Sequence, residues 1–148
     1  KMPETLTQLY YKRKDQNERN SIINADLFSK KAEDIAKSFQ TIIKRDGGRP
    51  IDTSPKLTQV RKFYNDVQNI SNIIESSKDK TGEFERQLPF FRMISAKADY
   101  AKSRNHINNE FESFIKKHVQ EIQDYQDFKV FCSLFEAVIA YSTRILKN

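Results

Sequence analysis

Between Phe128 and Ile139 the apolar side chains Phe128, Phe131, Leu134, Phe135, Val138 and Ile139 recur three and four residues apart. That period is helical, and a stripe so rich in phenylalanine must be buried against other helices. It predicts a core helix from about Tyr125 to Leu146. Glu136 is the one charge within the run Phe131 to Tyr141, and a carboxylate beside a buried stripe calls for a basic partner or an angle toward water. Cys132 lies on or beside the same stripe and reads as a small buried hydrophobe.

The same period places the other helices. Leu27, Phe28, Ala32, Ile35, Phe39, Ile42 and Ile43 predict a helix from about Asp26 to Arg45, with Asn24 or Asp26 as its cap. Asp46-Gly47-Gly48-Arg49-Pro50 would stop it. Ser54-Pro55, a capping residue followed by proline, predicts the start of a second helix. Its face is Val60, Phe63, Tyr64, Val67, Ile70, Ile73 and Ile74, ending before the polar loop Ser76 to Gly82. A third helix covers about Phe84 to Arg104, with a start or a kink at Pro89. Phe111, Phe114, Ile115, Val119 and Ile122 mark a shorter fourth. No stretch alternates with period two long enough to predict a strand. Three Gly and four Pro in 148 residues also argue against a turn-rich β fold. The fold class predicted is all-α, a compact bundle of about five helices over residues 24–148. Residues 1–23 form a polar arm in which Tyr10-Tyr11 precede Lys12-Arg13-Lys14, either a solvated tail or a strap along nucleic acid.

Chemistry narrows the function classes. His106 and His118 are the only histidines and Cys132 the only cysteine. The usual structural zinc sets and an internal disulfide are therefore excluded, and a reducing compartment is expected. No nucleophile elbow, cysteine-protease wording or glycine-rich phosphate loop occurs. Acidic residues alternate with basic ones as on solvated helix faces. Neither catalytic residues nor a metal or cofactor is expected. No apolar run approaches the ~18 residues of a membrane span, and no charged-then-apolar leader opens the chain, so a cytoplasmic protein is expected.

The net charge of +6 and pI near 9.4 point to a polyanionic partner. Arg61 and Lys62 border the apolar stripe of the second helix. In the third, Lys97, Ala101 and Arg104 fall on one line, about 10 Å long, comparable to one or two phosphate steps of a single strand. Such cations can follow a backbone without reading bases. They can equally rim an apolar stripe with their methylene stems.

Three ordered segments resemble the small subunit of type III-A CRISPR effector complexes, the Csm small subunit. They are Thr58-Gln59-Val60-Arg61-Lys62-Phe63-Tyr64, Lys97-Ala98-Asp99-Tyr100-Ala101-Lys102-Ser103-Arg104, and Phe128 through Tyr141. The likeness spans about residues 54 to 145. Where the family usually has a small residue and glycine before the arginine of the middle segment, this chain has Lys102-Ser103, which adds Lys102 as a contact. The resemblance implies a non-catalytic subunit stacking in several copies beside the backbone and large subunits of the complex. It would contact guide RNA and target RNA through Arg61, Lys62, Lys97, Lys102 and Arg104. A helical DNA-binding regulator and a structural adaptor with incidental charge are the competing classes.

Overall fold

The apolar stripe beginning at Phe128 forms helix α6, Tyr125–Ile145, in the computed structural model, which describes residues 4–148. Before it come α3 (Leu57–Glu75), α4 (Lys80–Ser103) and α5 (Asn109–Glu121). The four run antiparallel in succession. The start of α3 meets the chain after α6, where the Leu57 N–H donates to the Lys147 carbonyl at 2.7 Å. At the opposite end of the bundle the Tyr125 hydroxyl donates to Glu75. A short helix α2, Ala32–Ser38, packs against α6. The chain is thus a mainly helical bundle.

Phe63, Val67, Phe131, Phe135 and Val138 share one core, each at most 6% exposed. Phe135 of α6 meets Tyr64 and Phe114 edge-on at 5.4 Å between ring centroids. Phe131 lies 6.0 Å from both Phe91 and Phe114. Phe128 meets Phe91 at 5.2 Å. Cys132 is half-buried against this core, and burial pushes its thiol up to about 12, the behaviour of an unreactive thiol.

The boundaries of α3 and α4 differ from those the apolar pattern predicts. Helix α3 starts at Leu57, with Pro55 outside it. Ser54 is drawn off by Thr41: its hydroxyl accepts the Thr41 N–H at 2.9 Å. Helix α4 starts at Lys80, four residues earlier than the apolar pattern, because Asp79 caps it by accepting the Gly82 N–H at 2.9 Å. A methyl group on Gly82 would meet that carboxylate and push it out of its capping position. Pro89 neither starts nor ends the helix. It and Glu85 are exposed, so the Glu85 carbonyl, deprived of its partner, can turn to water.

The first expected helix is corrected most. In place of one helix from Asp26 to Arg45, a wide turn over Leu27–Lys31 leads into α2, which ends at Ser38. Asn24 does not cap it, because its side-chain amide donates back to the Gln8 and Leu9 carbonyls. After Phe39 the chain forms a β-hairpin, pairing Ile42–Ile43 (β3) with Ile51–Asp52 (β4). β-branched residues suit an extended pair better than a helix end. Ile42 and Ile43 are 57% and 54% exposed, so they belong to no buried stripe.

Residues 4–23 carry a second departure from the all-helical reading, and Lys1–Pro3 of the expected arm lie outside the described residues. Helix α1 (Leu6–Tyr10) is closed by a capping box at Thr5 and runs into a strand, Tyr11–Arg13 (β1), paired with Ile22–Ile23 (β2). Tyr10 and Tyr11 are buried, as no solvated tail would be. The Tyr10 hydroxyl hydrogen-bonds Nδ1 of buried His118 at 2.5 Å. The Tyr11 hydroxyl donates to Asp127 at 2.8 Å, and Lys14 Nζ reaches Asp124 at 2.8 Å and Asp127 at 3.0 Å. A polar composition hid these anchors because two tyrosines and one lysine carry all of them.

The aromatic core and the buried histidine can each be tested by unfolding. Phe135→Ala should destabilise the bundle by about 3–5 kcal/mol in urea, as expected for a phenylalanine cavity. Burial holds His118 neutral, with its pKa lowered to about 3. Below the ordinary histidine value near 6.5, the unfolded chain gains a proton that the folded one refuses. Stability should therefore fall as pH drops from about 6.5 toward 3, by up to ~1.4 kcal/mol per pH unit from this group. Unfolding of His118→Gln across the same pH range should show a shallower slope.

Candidate nucleic-acid interface

Helix α3 buries Val60 and Phe63, and so turns Arg61 and Lys62 outward at its first turns. Lys62 lies one turn before Asp66, on the row facing α4. Asp66 accepts an ion pair from Lys97 of α4 at 3.4 Å. The line of Lys97, Ala101 and Arg104 does exist on α4, with Ala101 buried and both cations exposed. Its two ends differ in freedom. Lys97 is tied to Asp66, whereas Arg104 lies over the ring of exposed Tyr100, 5.6 Å from its centroid, and donates to its hydroxyl at 3.3 Å.

Helix α4 closes without the glycine that the resemblance led one to seek. Asn105 takes the left-handed conformation at φ 59, and the His106 N–H donates to the Ala101 carbonyl at 2.9 Å. Asparagine tolerates that conformation better than most residues with a side chain. The turn leaves Lys102 and Arg104 at the helix end.

Arg61, Lys62, Lys102 and Arg104 therefore gather at one end of the bundle, with Lys97 two turns away on α4. None of the four forms an ion pair with a carboxylate among the described residues. At the opposite end Lys14, Arg86 and Lys129 are each held by an acidic partner, while Lys80 donates to the Glu75 and Ser77 carbonyls. Glu136 has no ion pair either and is exposed, so the expectation of a basic partner does not hold within the described chain. It is turned to water, where it helps to raise the pKa of neighbouring Tyr64, after burial the second cause.

An open cleft of about 720 Å³ lies at the end carrying the free cations. Lys56, Gln59, Lys102, Asn105 and His106 form one side of it, and the β3–β4 hairpin the other. Lys44, Arg45, Arg49 and Lys56 were not among the site residues read from sequence. Thr41-Ile42-Ile43 and Ile51-Asp52-Thr53 flanking a Gly-Gly pair carry the signal of a basic hairpin, but the pair reads more readily as a helix stop.

A second feature is apolar. Ile73, Phe90 and Met93 are each about half exposed around a groove of about 380 Å³ between α3 and α4. Among the described residues no group of three histidine, cysteine, aspartate or glutamate side chains is placed to hold a metal. No helix among them is long and apolar enough to cross a membrane.

The family model described as Csm2 Type III-A matches residues 22–147. The chain belongs to that family. It is accordingly a small subunit of the type III-A CRISPR effector type, and the matched region takes in the hairpin and all of α3 to α6. Comparison with curated proteins and with solved structures gave no match.

Lys97 and Arg104 stand on the surface, and an exposed ion pair contributes about 0–1 kcal/mol. Thermal melts of Lys97→Ala and Arg104→Ala should therefore stay within about 1 kcal/mol of the unaltered chain, so that weaker binding in either variant reports the missing cation and not a damaged fold.

Proposed function

We propose that this chain is a non-catalytic, RNA-contacting subunit of a type III-A CRISPR ribonucleoprotein acting in antiviral defence in the cytoplasm. Several copies stack beside the backbone and large subunits and follow the guide RNA and target RNA without reading sequence. The observation that carries the reading is the gathering of unpaired Arg61, Lys62, Lys102 and Arg104 on rigid helix ends in a chain of this family. Fixed cations on an ordered scaffold position a phosphate backbone but do not discriminate bases. The half-exposed Ile73, Phe90 and Met93 supply apolar surface for a protein neighbour of the kind a stacked subunit requires.

The competing regulator reading fits poorly. Arg61 and Lys62 sit on a 19-residue helix with six buried residues, not on a short helix free to enter a groove. Salt dependence separates the classes. Lys97→Ala/Arg104→Ala should weaken binding about equally for two unrelated RNAs in the assembled complex. It should also flatten the salt dependence by roughly 0.7 log units per log salt for each phosphate left without its cation. Wild-type affinity and slope in the variant would assign these residues to solubility alone, and preference for one DNA duplex would favour a regulator.

A further inference from the structure

The β3–β4 hairpin is an exposed basic element at the end that gathers the free cations, and the cleft beneath it is shared with Lys102, one of the proposed RNA contacts. Its base is held firmly. The Asn108 side-chain amide donates to the Phe39 carbonyl and to the Thr41 hydroxyl, both at 2.9 Å. The Thr53 N–H donates to the Thr41 carbonyl at 2.9 Å, and the two threonine hydroxyls bond each other at 2.6 Å. Its turn passes through Gly47 at φ 68, a conformation glycine adopts without strain. Lys44, Arg45 and Arg49 are exposed around that turn and form no ion pair with a carboxylate among the described residues. Asp46 is the one acid between them.

We infer that the hairpin and the cleft beneath it form a binding site for single-stranded RNA, in which Lys44, Arg45 and Arg49 hold phosphates and the cleft takes an unstacked nucleotide. The site rests on the proposed RNA-contacting role and gives it a location. The cleft, at about 720 Å³, falls within the size range of small-ligand sites, roughly 300–1,000 Å³. Its polar lining is mixed: Lys56, Lys102, Asn105 and His106 present nitrogen donors, and Asp52 and Glu110 present carboxylates. A purely anionic ligand would not need the acceptors, whereas the edge of a nucleobase carries both donors and acceptors. The Asp52 carboxylate is partly engaged already: the Ser54 hydroxyl, and then the Ser54 N–H that it accepts at 2.9 Å, lower its pKa. Ile43 lines the cleft, and its cross-strand partner Ile51, 41% exposed, extends the apolar surface on the same face of the hairpin. Apolar surface beside cations suits a splayed strand, in which bases are unstacked and phosphates run alongside. Bases stacked inside a duplex could not enter the cleft.

The test is residue-resolved NMR of the full chain titrated to millimolar concentration with a uridine decamer, and separately with a ten-base-pair RNA duplex. The decamer should shift amides of residues 41–56 and 102–110. In Lys44→Ala/Arg45→Ala/Arg49→Ala, apparent affinity should fall about tenfold or more, with amides outside the hairpin unmoved in the free protein. Shifts confined to the α3–α4 face around Lys97, with the hairpin variant binding like wild type, would overturn this site and leave the proposed function standing. Equal or stronger shifts of the same amides by the duplex would overturn the unstacked-nucleotide assignment. A wild-type chain unmoved by either RNA would overturn the site and the proposed function together.

Discussion

Burial of the aromatic face of α6 is the constraint on which the rest of the molecule depends. Phe128, Phe131 and Phe135 reach α3, α4 and α5 through Tyr64, Phe84, Phe91, Phe111 and Phe114. The rings of one helix thereby fix three others at once. The edge-on and tilted contacts also set the spacing of the helices, because interlocked rings cannot slide without opening voids. Everything presented to solvent, including the cations at one end, inherits its position from that packing.

This dependence explains which parts of the fold were legible in the sequence. Helices α3, α5 and α6 carry continuous apolar stripes whose period is set by their burial, so their existence and most of their inward faces could be read; Ile73, counted on the face of α3, is instead 47% exposed. Helix α4 was legible in its body but not at its start, where Asp79 and Gly82 act through one local hydrogen bond that hydrophobic period does not encode. The stretch from Phe39 to Thr53 failed for the opposite reason. Ile42 and Ile43 imitate the helical stripe of Ile35 and Phe39, but the pairing of Thr41 with Thr53 and the reach of Asn108 to both Phe39 and Thr41 override it. Residues 10 and 11 were hidden because their partners, His118 and Asp127, lie at the far end of the sequence.

The candidate surface was legible in part. Arg61, Lys62, Lys102 and Arg104 could be named from their place beside apolar stripes and from family likeness, but their convergence required the antiparallel return of α4 onto the start of α3. The tie of Lys97 to Asp66 was not visible for the same reason, since the two residues are brought together only by that return. Topology also decides which cations are paired: Lys14 and Lys129 meet their acidic partners only because residues 4–23 dock beside α6.

Docking of the first two tyrosines has a consequence for the order of assembly. Tyr10 and His118 are separated by 108 residues, and Tyr11 and Asp127 by 116. A ribosome adding about 5–20 residues per second needs roughly 5–20 s to supply those partners after the tyrosines emerge. Throughout that interval the segment carrying Tyr10 and Tyr11 has nowhere to bury its rings. Two tyrosines made a hundred residues ahead of their partners are among the last side chains to find their place.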